Sequence, residues 1–350
     1  MKTFASKRCK LAAQNKNCFF FSQILNQNFE NLEYLLLASS EDQSMLFKEY
    51  LNPLVTSVNF GMGSGWSHSA KTHKKLGFDI TISLNTFFIP SNAKSFSTSG
   101  LTSITSSSDY LPTVLGDNTN ETLSVSINDG SDVFPNEFNA TFIAPSGIES
   151  DLFLNMLITP NIQVGLGLPF KTDLIVRYIP TKSTKNTDIG LMGVGIKHNL
   201  LQHFGPADKI PFIDLSLLIA YSNYSIDYAF QKTSNLQGID QRATMDMNNY
   251  TAKIISSIDL KLITFYASIG YSKGVSNLSV LGSYDLSYSV LDSTQVVVLT
   301  VTDPLQVEWE KQSISGNAGL SFNLPGIKLF ADYTSQDYDS VTVGVSIGIR

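Results

Sequence analysis

The stretch LGFDITISLNTFFIP, Leu76 to Pro90, decides the fold. Phe78, Ile80, Ile82, Leu84 and Phe88 fall on one face, and Asp79, Thr81, Ser83 and Asn85 on the other. That period of two is a β-strand with one oily and one wet face. The run is long enough for a tilted strand to cross a bilayer, which takes about 9–11 residues, whereas soluble strands are nearer 5–6.

The split recurs to the end of the chain. Thr172 to Pro180 sets Leu174, Val176 and Tyr178 against Asp173 and Arg177, and Ile213 to Ser222 sets Ile213, Leu215, Leu217, Ile219 and Tyr221 against Asp214, Ser216 and Ser222. Ala252 to Asp259, Phe265 to Tyr271, Ser283 to Val290, Ser313 to Phe322, Lys328 to Tyr333 and Val341 to Ile349 repeat it. A soluble sandwich alternates too, but its wet faces carry Lys and Glu. Here they carry Ser, Thr, Gly and scattered charges, as a barrel lumen does. Phe87, Phe88, Tyr221, Tyr224, Tyr271 and Trp309 fall near strand ends, where two interfacial girdles are expected.

These segments predict an all-β fold: a transmembrane antiparallel up-and-down β-barrel of about 12–14 strands, with an N-terminal helical segment as a cap or plug. The count comprises 12 clear strands from Leu76 onward and a doubtful one, Val55 to Trp66. Tight connections at Pro169–Lys171, Leu260–Leu262, Leu291–Thr294 and Asn323–Gly326 alternate with longer ones, including 225–247 and 272–277. Residues 199–210 read as a turn with a short helix. Residues 91–160, rich in Ser, Thr, Asn and Gly, read as a long outer loop, mobile or folded over the mouth.

Composition agrees. Charged residues are 15% of the 350, against roughly a quarter in soluble domains, and the mean hydropathy of +0.04 signals fine mixing of polar and apolar residues. No run approaches the ~20 apolar residues of a membrane helix. A net charge of −6 argues against nucleic acid as a partner. Lys2, Lys7, Arg8, Lys10 and Lys16 precede a short apolar run, Phe19–Phe21, so residues 1–30 read as a degenerate or mis-called targeting segment. Residues 31–53 have helical spacing, with Leu32, Leu35, Leu36, Leu46 and Tyr50 apolar and Pro53 as the stop. Residues 54–350 form the barrel. Cys9 and Cys18, the two cysteines, lie ahead of it, which suits export through an oxidising compartment as well as it suits chance.

Chemical motifs are few. His68, His73, His198 and His203 lack zinc-site spacing, and no nucleophile elbow accompanies His198, His203 and Asp208. Gly61, Gly63 and Gly65 resemble a phosphate loop but lack its closing Lys-Ser or Lys-Thr, so they read as close-packing residues. Asp117, Asn118, Asn120 and Glu121, and Asn128, Asp129 and Asp132, lack calcium-loop spacing and read as solvated loop. No catalytic, cofactor or metal residues are expected. The candidate lumen-lining residues are the wet-face charges Asp79, Asp173, Arg177, Lys197, Asp214, Lys253, Asp259 and Asp332. The expected role is a channel or transporter for small or hydrophobic solutes, the alternative a non-conducting structural or partner-binding barrel.

The words EYLNPL (Glu49–Leu54), GFDITISLNTFFIP (Gly77–Pro90), NIQVGLGLPFKTDLIVRYIP (Asn161–Pro180), GVGIKHNL (Gly193–Leu200) and LSLLIAYSNY (Leu215–Tyr224) resemble an uncharacterised family of Bacteroidota outer-membrane proteins, a domain-of-unknown-function family. The resemblance implies a barrel with an N-terminal helical element, distantly like the long-chain fatty-acid transporter type, embedded in outer-membrane lipid and assembled by the barrel-assembly machinery. It supplies no catalytic residues. Such barrels end on an aromatic residue, and the ending Gly348-Ile349-Arg350 suggests that one residue is lost.

Overall fold

The computed structural model describes residues 32–128, 137–152, 156–183, 187–205, 210, 212–230, 237–290 and 295–349. The targeting segment expected at 1–30, with Cys9 and Cys18, lies outside them, as do Asp129, Asp132, Asp208 and the turn at 291–294.

Ten strands form the wall: β1 Phe78–Phe88, β2 Met156–Leu168, β3 Thr172–Ser183, β4 Thr187–Asn199, β5 Ile213–Ala229, β6 Gln237–Asp259, β7 Ile263–Val290, β8 Leu305–Leu324, β9 Ile327–Ser335 and β10 Ser340–Ile349. Each pairs antiparallel with the next, and β10 closes on β1 from Phe78↔Ile349 to Phe87↔Ser340. The result is a closed all-β barrel with no free edge around its ring.

The burial pattern is inside out. Along β1 the apolar residues point outward, Ile80 47% and Ile82 49% exposed, while Thr81 and Ser83 between them are buried. Ile219, Ile254, Ile269, Leu320, Leu329 and Ile347 extend the outward apolar band around the ring. A water-soluble sheet would bury these residues; a barrel facing lipid exposes them. Among the described residues no helix is long and apolar enough to cross a membrane.

The strand number is ten rather than 12–14. Ser272–Asn277 was expected to be a connection, yet alternation continues through it, and β7 is one strand of 28 residues. Val296–Thr302 is a strand, but it pairs only with Ser283–Ser289, above the closed ring. A break at Asp303–Pro304, with Asp303 at φ +47°, separates it from β8, and the register against β7 continues across that break. Val55–Trp66 is no strand either.

That segment belongs to a helix, α1, Ser40–Gly63, which contains Pro53 rather than stopping at it. Proline removes one intrahelical bond and the helix tolerates the loss. Leu46, Phe47, Tyr50, Leu54, Val55, Val58, Phe60 and Met62 are all buried, and from Pro53 to Gly63 every residue is, so the second half of α1 is enclosed on all sides inside the wall. Ser39 caps it, its Oγ accepting from the Asp42 backbone N–H at 3.3 Å. A 3₁₀ turn, Leu32–Leu37, precedes it.

Two ends can be told apart. The turn end carries the short connections at 169–171, 260–262 and 325–326, together with a 3₁₀ turn at Leu201–His203 where a short helix was expected. The loop end carries the long insertion between β1 and β2. That insertion is folded: Thr122–Asn128 pairs with Glu137–Ile143, and Leu111, Val114, Leu115 and Leu123 join a core with Leu35, Leu46 and Tyr50.

Three aromatics expected in the girdles, Phe87, Tyr224 and Trp309, face inward instead, Tyr224 packed against the inner core. Phe87 is fully buried, and Trp309 is buried with its Nε1 donating to the Lys48 carbonyl at 3.1 Å. Near a strand end the alternation decides which face a ring takes, and α1 offers Phe87 and Trp309 an apolar partner.

Candidate functional site

The lumen is threaded by α1 and the irregular segment 64–77 that leads into β1. A helix end leaves four backbone carbonyls without intrahelical partners, and α1 has no basic residue in its last turn. The wall supplies both needs. Arg177 of β3 donates through Nη1 to the Met62 carbonyl and through Nη2 to the Ser64 carbonyl, each at 3.0 Å. Its guanidinium places a positive charge at the negative end of the helix dipole. Asn85 of β1 donates to the Gly61 carbonyl at 3.3 Å.

The pattern continues along the thread. Gln163 of β2 donates to the Trp66 carbonyl, Ser216 of β5 to that of Ala70, and Asn249 of β6 to that of Asn59. Lys197 of β4 donates to the Ser69 and Lys71 carbonyls at 3.3 and 3.0 Å. Nearer the loop end Tyr288 of β7 reaches the Leu37 carbonyl, and Trp309 of β8 that of Lys48. Every strand from β1 to β8 therefore places a side-chain donor on the main chain of the threaded segment. A buried carbonyl left unpaired costs about 1–3 kcal/mol, so these contacts hold the segment firmly.

Close approach needs small wall residues. A Cβ on Gly193 or Gly195 would lie 3.1 Å from the Trp66 ring. A Cβ on Gly63 of α1 would lie 2.6 Å from Ser272 Oγ. Gly65, at φ +69°, turns the chain out of the helix. The Gly61-Gly63-Gly65 run is thus a packing device.

At the turn end three wall charges, Asp79, Asp173 and Lys197, gather around His73 of the thread. His73 Nδ1 lies 3.1 Å from Asp173 Oδ2, and its Nε2 3.5 Å from Asp79 Oδ2. The His73 backbone N–H donates to Asp173 Oδ1 at 2.8 Å, and Lys197 Nζ stands 3.1 Å from Asp173 Oδ2. Ser346 donates to Asp79, and His68 stacks on Phe330 at 4.8 Å. Burial opposes the imidazolium of His73, but Asp173 and then Asp79 outweigh it and raise its pKa above the ordinary 6.5.

The eight wet-face charges are distributed as follows. Asp79, Asp173, Arg177, Lys197, Lys253 and Asp332 are buried inside the ring, while Asp214 and Asp259 are half-buried at the turn end. Asp79, Asp173 and Lys197 meet around His73, and Arg177 stands apart with Gln163 and Trp66. Asp332 accepts from Tyr266 at 2.8 Å and Asn317 at 2.7 Å, Asp214 accepts from Asn199, and Asp259 pairs with Lys71. Sequence reasoning did not single out Trp66, Gln163, Asn249 or the tie between His73 and the two aspartates. Only Gly193 and Gly195, both on a wet face, hinted at a bulky side chain opposite.

At the loop end the Asp42 carboxylate is buried and accepts from the backbone N–H groups of Thr102 and Ser103 and from Ser103 Oγ. Glu121 accepts from Ser106, Ser107 and Ser108. Among the described residues no group of three or more His, Cys, Asp and Glu could hold a metal ion.

A family model described as a family of unknown function, DUF6588, matches residues 1–349. No curated protein matches the chain. Similar solved structures include Ail, the attachment invasion locus protein of Yersinia pestis, at 10% identity and TM-score 0.24, covering 79% of this chain and 99% of that one. They also include the translocator domain of the autotransporter NalP from Neisseria meningitidis, at 11% identity and TM-score 0.26, covering 88% of this chain and 98% of that one. The outer membrane channel DcaP of Acinetobacter baumannii matches at 10% identity and TM-score 0.18, covering 81% and 99%. No function is transferred from likenesses at these scores.

Proposed function

We propose that this chain, which belongs to the DUF6588 family of unknown function, is a bacterial outer-membrane β-barrel that stands closed and acts as an anchored, partner-binding barrel. The observation that carries this reading is the set of wall donors on the backbone of residues 37–71, contributed by each strand from β1 to β8. A wall so committed to one segment has that segment as part of its fold. With α1 in place the lumen holds protein, and the folded insertion at the loop end is the surface offered to a partner. The reading is non-catalytic.

The test is conductance of the purified full chain in planar bilayers. Silence is expected. A steady, high conductance from protein whose heat-modifiable gel mobility shows a folded barrel overturns the reading.

One observation favours a second reading, gated passage of a small or hydrophobic solute. Thr81 and Ser83 of β1, Asn161 of β2 and Ser340 of β10 are buried on three adjoining strands, each with a side-chain polar atom that finds no hydrogen-bond partner among the described residues. Ser83 and Asn161 are register partners. Such a polar seam between helix and wall becomes a path if α1 shifts. Under this reading Arg177→Ala, which loosens the thread, opens discrete conductance steps; under the first it leaves the barrel silent.

A further inference from the structure

The order of contacts along the thread fixes its direction. Leu37 meets Tyr288, which lies 25 residues up β7 from Ile263 at the turn end. Tyr34 stacks on Phe142 of the insertion, 6.1 Å between centroids, and the Ser39 backbone N–H donates to Ser103 Oγ at 2.9 Å. Further along, Lys48 meets Trp309, Asn59 meets Asn249 and Ser276, and Met62 meets Arg177, five residues up β3 from Thr172. Lys71 then pairs with Asp259, the last residue of β6, and the Leu76 N–H donates to the Gly167 carbonyl one residue from the end of β2. The chain enters at the loop end, descends the lumen and turns up into β1. At 1.5 Å per residue the 24 residues of α1 span about 36 Å, enough for the ~30 Å hydrocarbon thickness.

We propose that the chain is threaded through its own barrel from the outer face inward, so that Leu32 lies at the outer face and the thread descends to the periplasmic side before it turns up into β1. This rests on the outer-membrane reading, with the loop end outward as in barrels that keep short turns on the periplasmic side. A second observation fits. The wall grips main-chain carbonyls from Leu37 near the loop end to Lys71 near the turn end, so the grip runs the length of the lumen.

The experiment is thiol labelling of full-length protein in cells with a membrane-impermeant maleimide, in a background where Cys9 and Cys18, the two cysteines of the chain, are replaced by Ser. Four exposed positions are used singly. Ser40→Cys and Lys75→Cys report the two ends of the thread, Tyr110→Cys the folded insertion at the loop end and Phe170→Cys the turn end of the wall. Heat-modifiable mobility of each variant shows that the barrel forms in the membrane. The expected result is labelling of Ser40→Cys and Tyr110→Cys on intact cells, and of Lys75→Cys and Phe170→Cys only after permeabilisation. If Tyr110→Cys labels on intact cells while Ser40→Cys does not, or Lys75→Cys labels with them, the threading is overturned and the membrane reading stands. If Phe170→Cys labels and Tyr110→Cys does not, the barrel faces the other way and the proposal falls with its orientation. A soluble, heat-unmodified protein overturns the membrane reading itself.

Discussion

Arg177 stands over Trp66 with its guanidinium carbon 4.0 Å from the ring centroid. The stack joins a wall strand to the segment that leaves α1, and the same guanidinium holds the Met62 and Ser64 carbonyls. Stacking in a dry site is worth up to about 2 kcal/mol, and each charge-assisted hydrogen bond about 1.5–3. Arg177→Ala removes all three and leaves the two carbonyls without this donor. The expected cost is about 3–5 kcal/mol, read as a lower denaturant midpoint for loss of heat-resistant mobility. Arg177→Lys keeps the charge but lacks the planar fork, so it should recover less than half of that loss. Full recovery by lysine would show that charge alone matters here.

Trp66 fits because β4 has no side chain beneath it. An alanine at Gly195 puts a Cβ 3.1 Å from the indole, close enough that one of the two must move. Overpacking of this kind costs about 1–3 kcal/mol. Trp66→Phe removes one ring and should relieve the clash, so the double variant Gly195→Ala/Trp66→Phe should lose less than the two single losses added. Strict additivity in that cycle would mean that the two groups do not press on each other.

The wall was legible in the sequence because its information is local. Asp79, Thr81, Ser83 and Asn85 announce a wet face by alternation alone, whatever lies opposite them. The strand count was not, since alternation runs through Ser272–Asn277 and only pairing shows that β7 is one strand while Val296–Thr302 stays above the ring. The helix was half legible. Leu32 to Tyr50 have an amphipathic spacing, but Val55 to Met62 are enclosed on all sides, which erases the polar face by which a helix is recognised, and Pro53 gave a stop signal that the enclosed helix overrides. The grip on the thread was beyond reach for a different reason. Arg177, Gln163 and Asn249 are visible as wet-face residues, but their partners are backbone carbonyls, which have no identity in a sequence.

His73 makes the turn end of the thread sensitive to pH. It faces Asp79 and Asp173, with Lys197 on Asp173 and His68 Nε2 4.0 Å from the same Asp79 oxygen that His73 approaches. Because its folded pKa is raised, the contribution of the charged ring is fully present below the ordinary 6.5 and is lost as pH rises through the folded value. Hydrogen exchange of backbone amides in residues 67–76, corrected for the intrinsic base catalysis of exchange, should therefore speed up as pH rises above the ordinary 6.5 and through the raised folded value. His73→Gln should flatten that profile. Exchange that accelerates as pH falls over the same window would contradict the assignment.

Asp42 ties the folded insertion to the mouth of the lumen. Asp42 is 2% exposed and its carboxylate accepts from two backbone N–H groups and two hydroxyls, the shortest contacts being 2.6 Å to Ser103 N and Oγ. Hydrogen bonds to a charged group contribute about 1.5–3 kcal/mol each, and removing the acceptor also strands the Ser103 N–H in a buried place. Asp42→Ala should free the loop 99–109 from α1 while leaving the ten-stranded wall intact, because no wall strand touches this carboxylate among its hydrogen bonds. Limited proteolysis should then cut within 99–109 several-fold faster, with unchanged heat-modifiable mobility. Asp42→Asn is the sharper variant. It has nearly the same shape, but its amide nitrogen would meet N–H donors, so it should behave closer to alanine than to wild type. Wild-type resistance in the asparagine variant would mean that shape, rather than the negative charge, holds the insertion down.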